Sequence, residues 1–394
     1  MNGRRLRENV FWVGAVDWDR RLFDSLVHLP DGTSYNAYLV KGAEKTALID
    51  TVDPTMSKVL LSRLEGLGVQ DLDYIVANHA EQDHSGSLPQ VAARFPRARI
   101  VCSPKAKKML VDLLPIPEDK FITVEDGEKL SLGDFTLEFI HTPWIHWPET
   151  MVTYLHEQKT LFSCDFFGSH LATSRLYSED DWQVYEAARS YYAEVMMPFR
   201  TIIRRNLEKL ERYPIEMIAP SHGPVHNKPE RIVQLHREWV SEAVRNAVVL
   251  PYVSMHGSTQ TMADYLTEAL QAEGVAVDKF NLVVTEMGKL ASAVVDAATI
   301  VIGSPTVLAG AHPHVISAAF LVNALRPKLR FASIFGSYGW GGKMVDQISS
   351  TLSNLKIEML EPVVAQGYPK DADYRALKRL ASEIAAKHQG SNFA

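Results

Sequence analysis

Short runs of apolar and β-branched residues, separated by polar turns, recur through roughly the first 245 residues of the chain. Runs of this length and composition predict β-strands. The predicted strands are NAYLVKG, KTALIDT, LDYIVANH, ARIVCSP, FTLEFIHTP, MVTYLHEQ, TLFSCDFFG and IEMIAPSH. Between them, PTMSKVLLSRLEGLG and LPQVAARFP have helical spacing. Strands mixed with helices in this way indicate a layered α/β sandwich and not a helix bundle.

A different pattern begins near residue 247, where predicted strands and helices alternate strictly to the end of the chain. Such alternation predicts five parallel strands with crossover helices, which form a doubly wound sheet. The predicted strands are AVVLPYVS, VAVDKFNL, TIVIGSP, RFASIFGS and EMLEPVVAQG. We therefore predict two domains, residues 1–247 and residues 248–394.

The composition agrees with two globular domains, because 394 residues exceed the size at which a single core stops growing, about 250 to 300 residues. No apolar run approaches the roughly 18 residues of a membrane span, and no signal-type segment follows the charged start MNGRRLRENVFWVG. We expect a cytoplasmic protein with no membrane partner. The net charge of −6 and the absence of a basic cluster make nucleic acid an unexpected partner.

The stretch NHAEQDHSGS places four potential metal ligands directly after a predicted strand. His79, Glu81 and Asp83 alternate with period two, so an extended backbone would project them to one side, and His84 follows. The alternative is a simple helix cap made by Asp83 or Ser85. Two imidazoles and two carboxylates within six residues exceed what a cap requires. A metal site is the preferred hypothesis.

Three further candidate ligands stand where other predicted strands end. His146 lies in HTPWIHWPET, Asp165 in FSCDFFGSH and His222 in IAPSHGPVH. Strand ends at one edge of an α/β fold are where functional side chains converge. Each of these residues, taken alone, could equally be only hydrogen-bonded.

The second half opens with VSMHGSTQTMAD, a strand followed by a loop rich in glycine and hydroxyl groups and then a helix. Backbone amides and hydroxyls at a helix start bind phosphate, although hydroxyls there are also ordinary N-caps. The candidate phosphate ligands are Ser254, His256, Gly257, Ser258 and Thr259.

Two more loops follow the third and fourth predicted strands of this half, at residues 303–313 and 336–343. In a doubly wound sheet both open at the same edge as the phosphate loop. Tyr338 and Trp340 could flank a planar ring there. The candidate cofactor contacts of these loops are Pro305, Thr306, Val307, Leu308, Ser337, Tyr338, Gly339, Trp340, Gly341 and Gly342.

The first half resembles the metallo-β-lactamase superfamily, whose HxHxDH motif appears here with Glu81 in place of the second histidine. Carboxylates are harder ligands than imidazoles and suit iron better than a zinc hydrolase site. The second half resembles flavodoxin. The joined halves resemble the flavodiiron proteins over essentially the whole chain, which implies an αββα sandwich followed by a five-stranded flavodoxin-like domain.

This resemblance implies a role for each candidate ligand. His79, Glu81 and His146 would hold one iron, Asp83, His84 and His222 the other, and Asp165 would bridge them. His226, four residues beyond His222, remains an alternative last ligand; APSHG favours His222 because it comes directly after a strand with a glycine behind it. His170 and Tyr192 would lie beside the ligands and influence the choice of substrate.

The resemblance also implies the chemistry: FMN and a diiron centre would reduce dioxygen to water, nitric oxide to nitrous oxide, or both. The donor would be external, such as rubredoxin or a reduced deazaflavin, because no CxxC pair follows the final helix. The family arrangement would be a head-to-tail homodimer, or a tetramer of such dimers. Leu308 and Ala309 occupy places where many relatives carry two asparagines, which leaves the identity of the donor open.

Two other functions compete with this hypothesis. A metal-dependent hydrolase of the lactamase superfamily would use zinc and have no need of the second half. A pure electron carrier would leave the candidate ligands without a role.

Overall fold

The computed structural model describes residues 2–390, which form two compact units. The first contains the described residues up to Tyr191 together with Phe199–Val240. The second contains Tyr192–Pro198 and the described residues from Ser241 onward. Residues 391–394 of the predicted second domain lie outside the described part of the chain. Within residues 2–390, no helix combines the length and the apolar character needed to cross a membrane.

The first unit is built from two main sheets and flanking helices. Its strands are β1 (Arg4–Arg7), β2 (Val10–Trp12), β3 (Ala15–Asp17), β4 (Leu22–Phe23), β5 (Val27–His28), β6 (Thr33–Tyr35), β7 (Tyr38–Lys41), β8 (Thr46–Ile49), β9 (Tyr74–Val76), β10 (Arg99–Cys102), β11 (Phe121–Thr123), β12 (Lys129–Ser131), β13 (Thr136–His141), β14 (Met151–Leu155), β15 (Thr160–Cys164) and β16 (Met217–Pro220). Its helices are α1 (Ser57–Gly66), α2 (Gln82–Ser85), α3 (Leu88–Arg94), α4 (Pro104–Leu113), α5 (Trp182–Tyr191), α6 (Arg200–Leu210) and α7 (Glu230–Val240), with 3₁₀ turns at Pro54–Met56 and Glu118–Lys120.

The two sheets face each other across a shared apolar core. One has the order β1-β2-β7-β8-β9-β10-β11 and the other the order β12-β13-β14-β15-β16. Tyr38 and Val40 of the first sheet lie in the same buried cluster as Phe139 and Phe162 of the second. The opposite face of the first sheet, which includes Leu39 and Leu48, packs with residues of α1, α3 and α4. Alternating side chains along each strand thus fill two layers, as a strand requires.

The pairing of β15 with β16 in the second sheet brings the segments that follow these strands to the same edge. β15 and β16 are parallel, and Cys164 pairs with Pro220 at their ends. Asp165 directly follows β15, and His222 comes two residues after β16, so the two residues emerge side by side. Asn78 at the end of β9 reaches the same region, because its side-chain oxygen accepts a hydrogen bond of 2.8 Å from Thr153 of β14.

The second unit is a doubly wound parallel sheet. Its strands are β17 (Arg245–Tyr252), β18 (Ala276–Asn281), β19 (Ala297–Val307), β20 (Gly310–Ala311), β21 (Phe331–Tyr338), β22 (Glu358–Met359) and β23 (Val363–Gln366). Its helices are α8 (Ser258–Ala272), α9 (Met287–Val294), α10 (Pro313–Leu325), α11 (Met344–Thr351) and α12 (Asp371–Gln389), with a π-helical turn at Tyr192–Met196 and a 3₁₀ turn at Met197–Phe199 that crosses the unit boundary.

The sheet order is β18-β17-β19-β21, with β22 and β23 both pairing with β21 and β20 forming a hairpin with β19. The predicted fifth strand is thus present in two parts. Pro362 lies between the parts, and proline has no N–H for a sheet ladder. The predicted fold class is confirmed in both halves.

His388 anchors α12 to the second unit through a buried polar contact. Its Nε2 lies 2.7 Å from Thr299 Oγ1, and its Nδ1 lies 2.7 Å from Asn246 Oδ1. Burial, with a smaller effect from Arg330, lowers the pKa of His388 to about 4. The ring is therefore neutral at pH 7, and it joins the helix to two strands.

We expect acid to destabilise the second unit through His388. An unfolded histidine has a pKa of about 6.5, so the unfolded chain takes up this proton first as the pH falls. Stability should drop between about pH 6.5 and pH 4 by roughly 1 to 3 kcal/mol and level off below. His388→Leu should lose about 1 to 3 kcal/mol at pH 7.5 and show less of this pH dependence. Calorimetric unfolding of the unaltered protein and of His388→Leu across these pH values measures the effect. Equal pH dependence of stability in the two proteins would contradict a role for His388.

Candidate metal centre and flavin site

The HAEQDH segment follows β9 and changes backbone conformation in its middle. Glu81 is extended, with φ −61° and ψ 143°, and caps the short helix α2, which contains Asp83 and His84. The expectation of a continuous extended segment is therefore wrong beyond Glu81. A helical turn instead directs Asp83 and His84 away from the first two ligands, so this one segment contributes to two neighbouring groups of side chains.

The first group consists of His79, Glu81, His146 and Asp165, whose potential ligand atoms lie within 4.8 Å of one another. Glu81 Oε2 is 3.1 Å from His79 Nε2 and 3.0 Å from His146 Nε2. Asp165 Oδ2 is 3.5 Å from each of the same two nitrogens. Two carboxylates and two imidazoles thus converge on one point.

The second group consists of Asp83, His84 and His222, which lie equally close together. Asp83 Oδ2 is 3.1 Å from the Nε2 atom of each histidine. Asp165 Oδ1 is 3.0 Å from His84 Nε2 and 3.4 Å from His222 Nε2. The two oxygens of Asp165 therefore face different groups, and this carboxylate lies between them.

The charges in these groups stabilise one another. Burial alone would raise the pKa of Asp165, but the facing side chains of His84, His146 and His222 outweigh it and hold that pKa well below its usual range. Burial would lower the histidine values; nevertheless Asp165 and Glu81 raise the pKa of His146 to about 9. The pKa of His222 rises to about 10, because Asp165 and the other carboxylate of its group outweigh burial. The cluster is built to hold positive charge.

Buried ligand atoms without hydrogen-bond partners indicate that the cluster binds metal ions. Within residues 2–390, both carboxylate oxygens of Asp83, both of Asp165 and both ring nitrogens of His84 are buried without a hydrogen-bond partner. Leaving such atoms unpaired costs about 1 to 3 kcal/mol each, and metal coordination removes that cost. A set of three carboxylates and four imidazoles is a mixed N/O donor set that suits iron.

Aromatic side chains and His170 lie against the second group. The His170 ring centroid is 4.7 Å from that of His222, and His170 Nδ1 lies 2.9 Å from Thr33 Oγ1. Burial, followed by the charge of His222, lowers the pKa of His170 well below its usual range. The ring centroids of Phe23 and Tyr191 lie 5.1 and 4.7 Å from that of His170. His170 is thus held neutral in an apolar wall beside the cluster.

One position differs from the sequence prediction, and the alternative last ligand lies apart from the cluster. Tyr191, and not the predicted Tyr192, has its ring against His170 and lies 5.7 Å from the ring of His222. Tyr192 is completely buried and belongs to the second unit. His226 lies outside both groups, with Nε2 3.1 Å from the carbonyl oxygen of Phe167.

Sequence reasoning also missed residues whose role depends on contacts across the fold. Phe23 ends β4, and Asp24 lies in the turn before β5. Burial, followed by the charge of Glu81, raises the pKa of Asp24. Glu149 follows His146 in HWPET and contacts His79, 70 residues away. No local periodicity signals such contacts.

In the second unit, the predicted phosphate loop lies at the carboxyl edge of the parallel sheet. It joins β17 to α8, and Gly257 at the N-cap has φ 89°, a conformation that favours glycine. Within the described part of the chain, no side-chain hydrogen bond caps the start of α8. An uncapped helix start of this kind offers N–H groups and positive potential to a phosphate.

The other two loops meet at the same edge. Thr259 Oγ1 lies 3.2 Å from Ser337 Oγ, which joins the phosphate loop to the end of β21. A cavity of about 310 Å³ is lined by residues of the second and third loops, including Thr306, Tyr338 and Gly342. The structure thus brings the three predicted loops together, as an FMN site requires.

Residues at the tips of these loops are open to solvent. Trp340 is 94% exposed and Leu308 is 93% exposed. Leu308 and Ala309 both have positive φ, 51° and 61°, and form the two-residue turn between β19 and β20. The segment that departs from the expected pair of asparagines is therefore an exposed hairpin tip.

Comparison with known proteins identifies both halves. Residues 33–223 match the ODP family beta lactamase model, and residues 250–379 match the flavodoxin model. Coenzyme F420H(2) oxidase of Methanothermobacter marburgensis is 35% identical, covering 97% of this chain and 98% of that protein. Nitric oxide reductase of Moorella thermoacetica is 34% identical, with the same coverage of 97% and 98%.

A solved structure matches over both units. Rubredoxin oxygen:oxidoreductase of Desulfovibrio gigas superposes with a TM-score of 0.94 and 32% identity, and the match covers 99% of each chain. Together with the unpartnered ligand atoms and the three converging loops, these similarities decide against the hydrolase alternative. The chain belongs to the flavodiiron protein family, and it is an oxidoreductase that uses a diiron centre and FMN.

Proposed function

We propose that this enzyme reduces dioxygen to water, nitric oxide to nitrous oxide, or both, with electrons that pass through FMN from an external donor. The observation that carries the proposal is the position of Asp165, whose two oxygens face two separate ligand groups. Two metals held by these groups would be close enough to act together on one small molecule. Relatives named for each substrate support both reactions.

The proposed ligands are those that converge in the first unit. His79, Glu81 and His146 would hold one iron, and Asp83, His84 and His222 would hold the other. Asp165, which lies between the two groups, would be shared by both irons. His222 is preferred over His226 because its Nε2 faces Asp83 Oδ2 at 3.1 Å.

The residues around the cluster form an apolar, uncharged surface that suits a small uncharged substrate. Two irons and FMN together supply four electrons when reduced, the number that dioxygen requires to become water. Phe23 and Tyr191 restrict water beside His222. His170, kept neutral by burial, presents a polar ring atom in that apolar wall, because its Nε2 is buried without a hydrogen-bond partner within residues 2–390.

In the second unit, the proposed FMN contacts are the amides and hydroxyls from Ser254 to Thr259 and the loop residues predicted from the sequence. The phosphate binds at the start of α8, whose first amides no side chain caps. We also propose that the external donor is rubredoxin or a reduced deazaflavin; names of relatives support both.

We further propose a head-to-tail homodimer, or a tetramer of such dimers, as the working form in the cytoplasm. The nearly complete exposure of Leu308 and Trp340 at the flavin edge supports contact with another chain. Light scattering on the purified enzyme tests this. A mass of one chain, 44.1 kDa, at micromolar concentration would contradict it.

Substrate choice is tested with one enzyme preparation and two electrode assays. Reduced rubredoxin or reduced deazaflavin is supplied anaerobically, and dioxygen or nitric oxide is then added while its consumption is followed. We expect consumption with at least one gas, with water and not peroxide as the product of dioxygen and nitrous oxide as the product of nitric oxide. No consumption of either gas by enzyme loaded with iron and FMN would overturn the proposal.

A further inference from the structure

Glu149 is a buried carboxylate that is not among the proposed iron ligands. Its residue is 2% exposed, and its side chain is completely buried. Oε1 lies 2.7 Å from His79 Nδ1 and accepts a second hydrogen bond of 3.0 Å from the backbone N–H of Ala80. The Nε2 atom on the other side of the His79 ring faces Glu81 and Asp165. Among the proposed ligands, all within residues 2–390, Glu149 thus hydrogen-bonds to His79 alone.

The position of Glu149 is fixed from a distant part of the fold. Ser103 Oγ donates a hydrogen bond of 2.8 Å to the backbone carbonyl of Glu149. The same Oγ accepts from the N–H of Ala106 at 3.1 Å and caps α4. The backbone of Glu149 is therefore tied to the start of α4, and its side chain, which contacts His79, is completely buried.

The histidines of the second group lack such a carboxylate. His222 Nδ1 lies 2.7 Å from the backbone carbonyl oxygen of Ser34, a neutral acceptor. His84 Nδ1 is buried with no hydrogen-bond partner among residues 2–390. Within residues 2–390, the first group alone therefore has a carboxylate hydrogen-bonded to a ligand ring, at His79.

A carboxylate behind a ligand histidine has two effects. It holds the proton on Nδ1, which leaves the Nε2 lone pair free for the metal, and it makes that nitrogen a stronger donor. A carbonyl also fixes the tautomer, but it carries no formal charge and polarises the ring less. The two proposed iron positions should therefore differ in affinity although their ligand types are similar.

We propose that Glu149 is the positioning residue of His79 and makes the metal position of His79, Glu81 and His146 the tighter of the two. The inference rests on the ligand assignment proposed above. It assigns a role to a residue that touches neither metal nor substrate. It also predicts an order of loading, in which the first position fills before the second.

The test measures iron affinity at each position separately. His222→Ala leaves the first position, and His146→Ala leaves the second. Glu149→Gln is then added to each, because glutamine keeps the shape and can still accept from the Ala80 N–H while removing the charge. Anaerobic competition for ferrous iron against a coloured chelator gives the affinity of each variant. We expect E149Q to weaken binding about 10- to 100-fold beside H222A and less than about 2-fold beside H146A.

Controls separate this role from general damage to the fold. Glu138→Gln removes the charge from another glutamate–histidine pair of the first unit, 2.6 Å from His156 Nε2, and should leave both affinities unchanged. Glu149→Asp keeps the charge but withdraws it by one methylene, and should weaken the first position less than E149Q. It also serves as the second variant if E149Q does not fold. FMN content reports on the second unit and should not change.

The outcomes distinguish the two proposals. Equal weakening at both positions, or none at the first, would overturn the role of Glu149 while leaving the diiron assignment standing. Failure of the unaltered enzyme to bind about two irons would instead overturn the assignment on which this role depends. A loss confined to the first position, partly retained in E149D, supports the inference.

Discussion

Asp165→Asn should leave the enzyme with at most about one tightly bound iron per chain. Reductase activity should fall by more than about 100-fold, because losing a hydrogen-bonding partner of a ligand alone costs about 10- to 100-fold, and Asp165 is a ligand itself. The reason is geometric, because each oxygen of Asp165 faces a different ligand group. An amide keeps one oxygen but turns an NH₂ group toward the other group. Iron analysis and gas consumption on the purified variant check both effects.

The control for this experiment is Asp126→Asn, which removes a carboxylate of the first unit that bonds Lys209 at 2.6 Å. Its iron content and activity should equal those of the unaltered enzyme. FMN content should be the same in both variants, since the flavin loops belong to the second unit. Two irons and full activity in Asp165→Asn would show that Asp165 does not bridge.

Ser258→Glu should abolish FMN binding while iron content stays unchanged. Ser258 is the first residue of α8, where the proposed phosphate site offers uncapped amides. A carboxylate there occupies those amides and repels the phosphate. Two like charges about 4 Å apart at the protein surface cost roughly 4 kcal/mol, which corresponds to on the order of 1000-fold weaker binding. Flavin absorbance and iron analysis on the same sample measure both.

Ser258→Gln is the matched variant, equal in size but without charge, and should retain most of the FMN. Activity with the external donor should disappear in Ser258→Glu, because the flavin would supply the electrons that the diiron centre needs. Retention of FMN in Ser258→Glu would place the phosphate elsewhere. Loss of FMN in both variants would point to steric obstruction and not to charge.

Much of the fold could be predicted because burial leaves a strong periodic signal. Strands covered on both faces, such as TIVIGSP, are continuous apolar runs, and their alternation with helices determines a doubly wound sheet. The four-residue helix α2 was missed because it is too short to show a 3.6-residue period. The grouping of Tyr192–Pro198 with the second unit was also missed, because it depends on contacts between residues far apart in sequence.

The candidate ligands could be predicted from the sequence because histidines and carboxylates follow predicted apolar strands, four in one segment and three elsewhere. The residues that surround these ligands could not be predicted in this way. Tyr191 and Tyr192 are adjacent, and only the direction of each side chain separates them; it is Tyr191 that contacts His170. Glu149 is separated from His79 by 70 positions, and its role follows from a hydrogen bond that no local pattern encodes.

Iron, zinc and FMN content per chain, measured on enzyme purified without oxygen, tests the central claim most directly. The structure provides two adjoining groups of ligands that share Asp165 and one set of loops suited to a flavin phosphate. We therefore expect about two irons, about one FMN and little zinc per chain. Zinc in the ligand groups and no flavin would contradict the account and restore the hydrolase alternative.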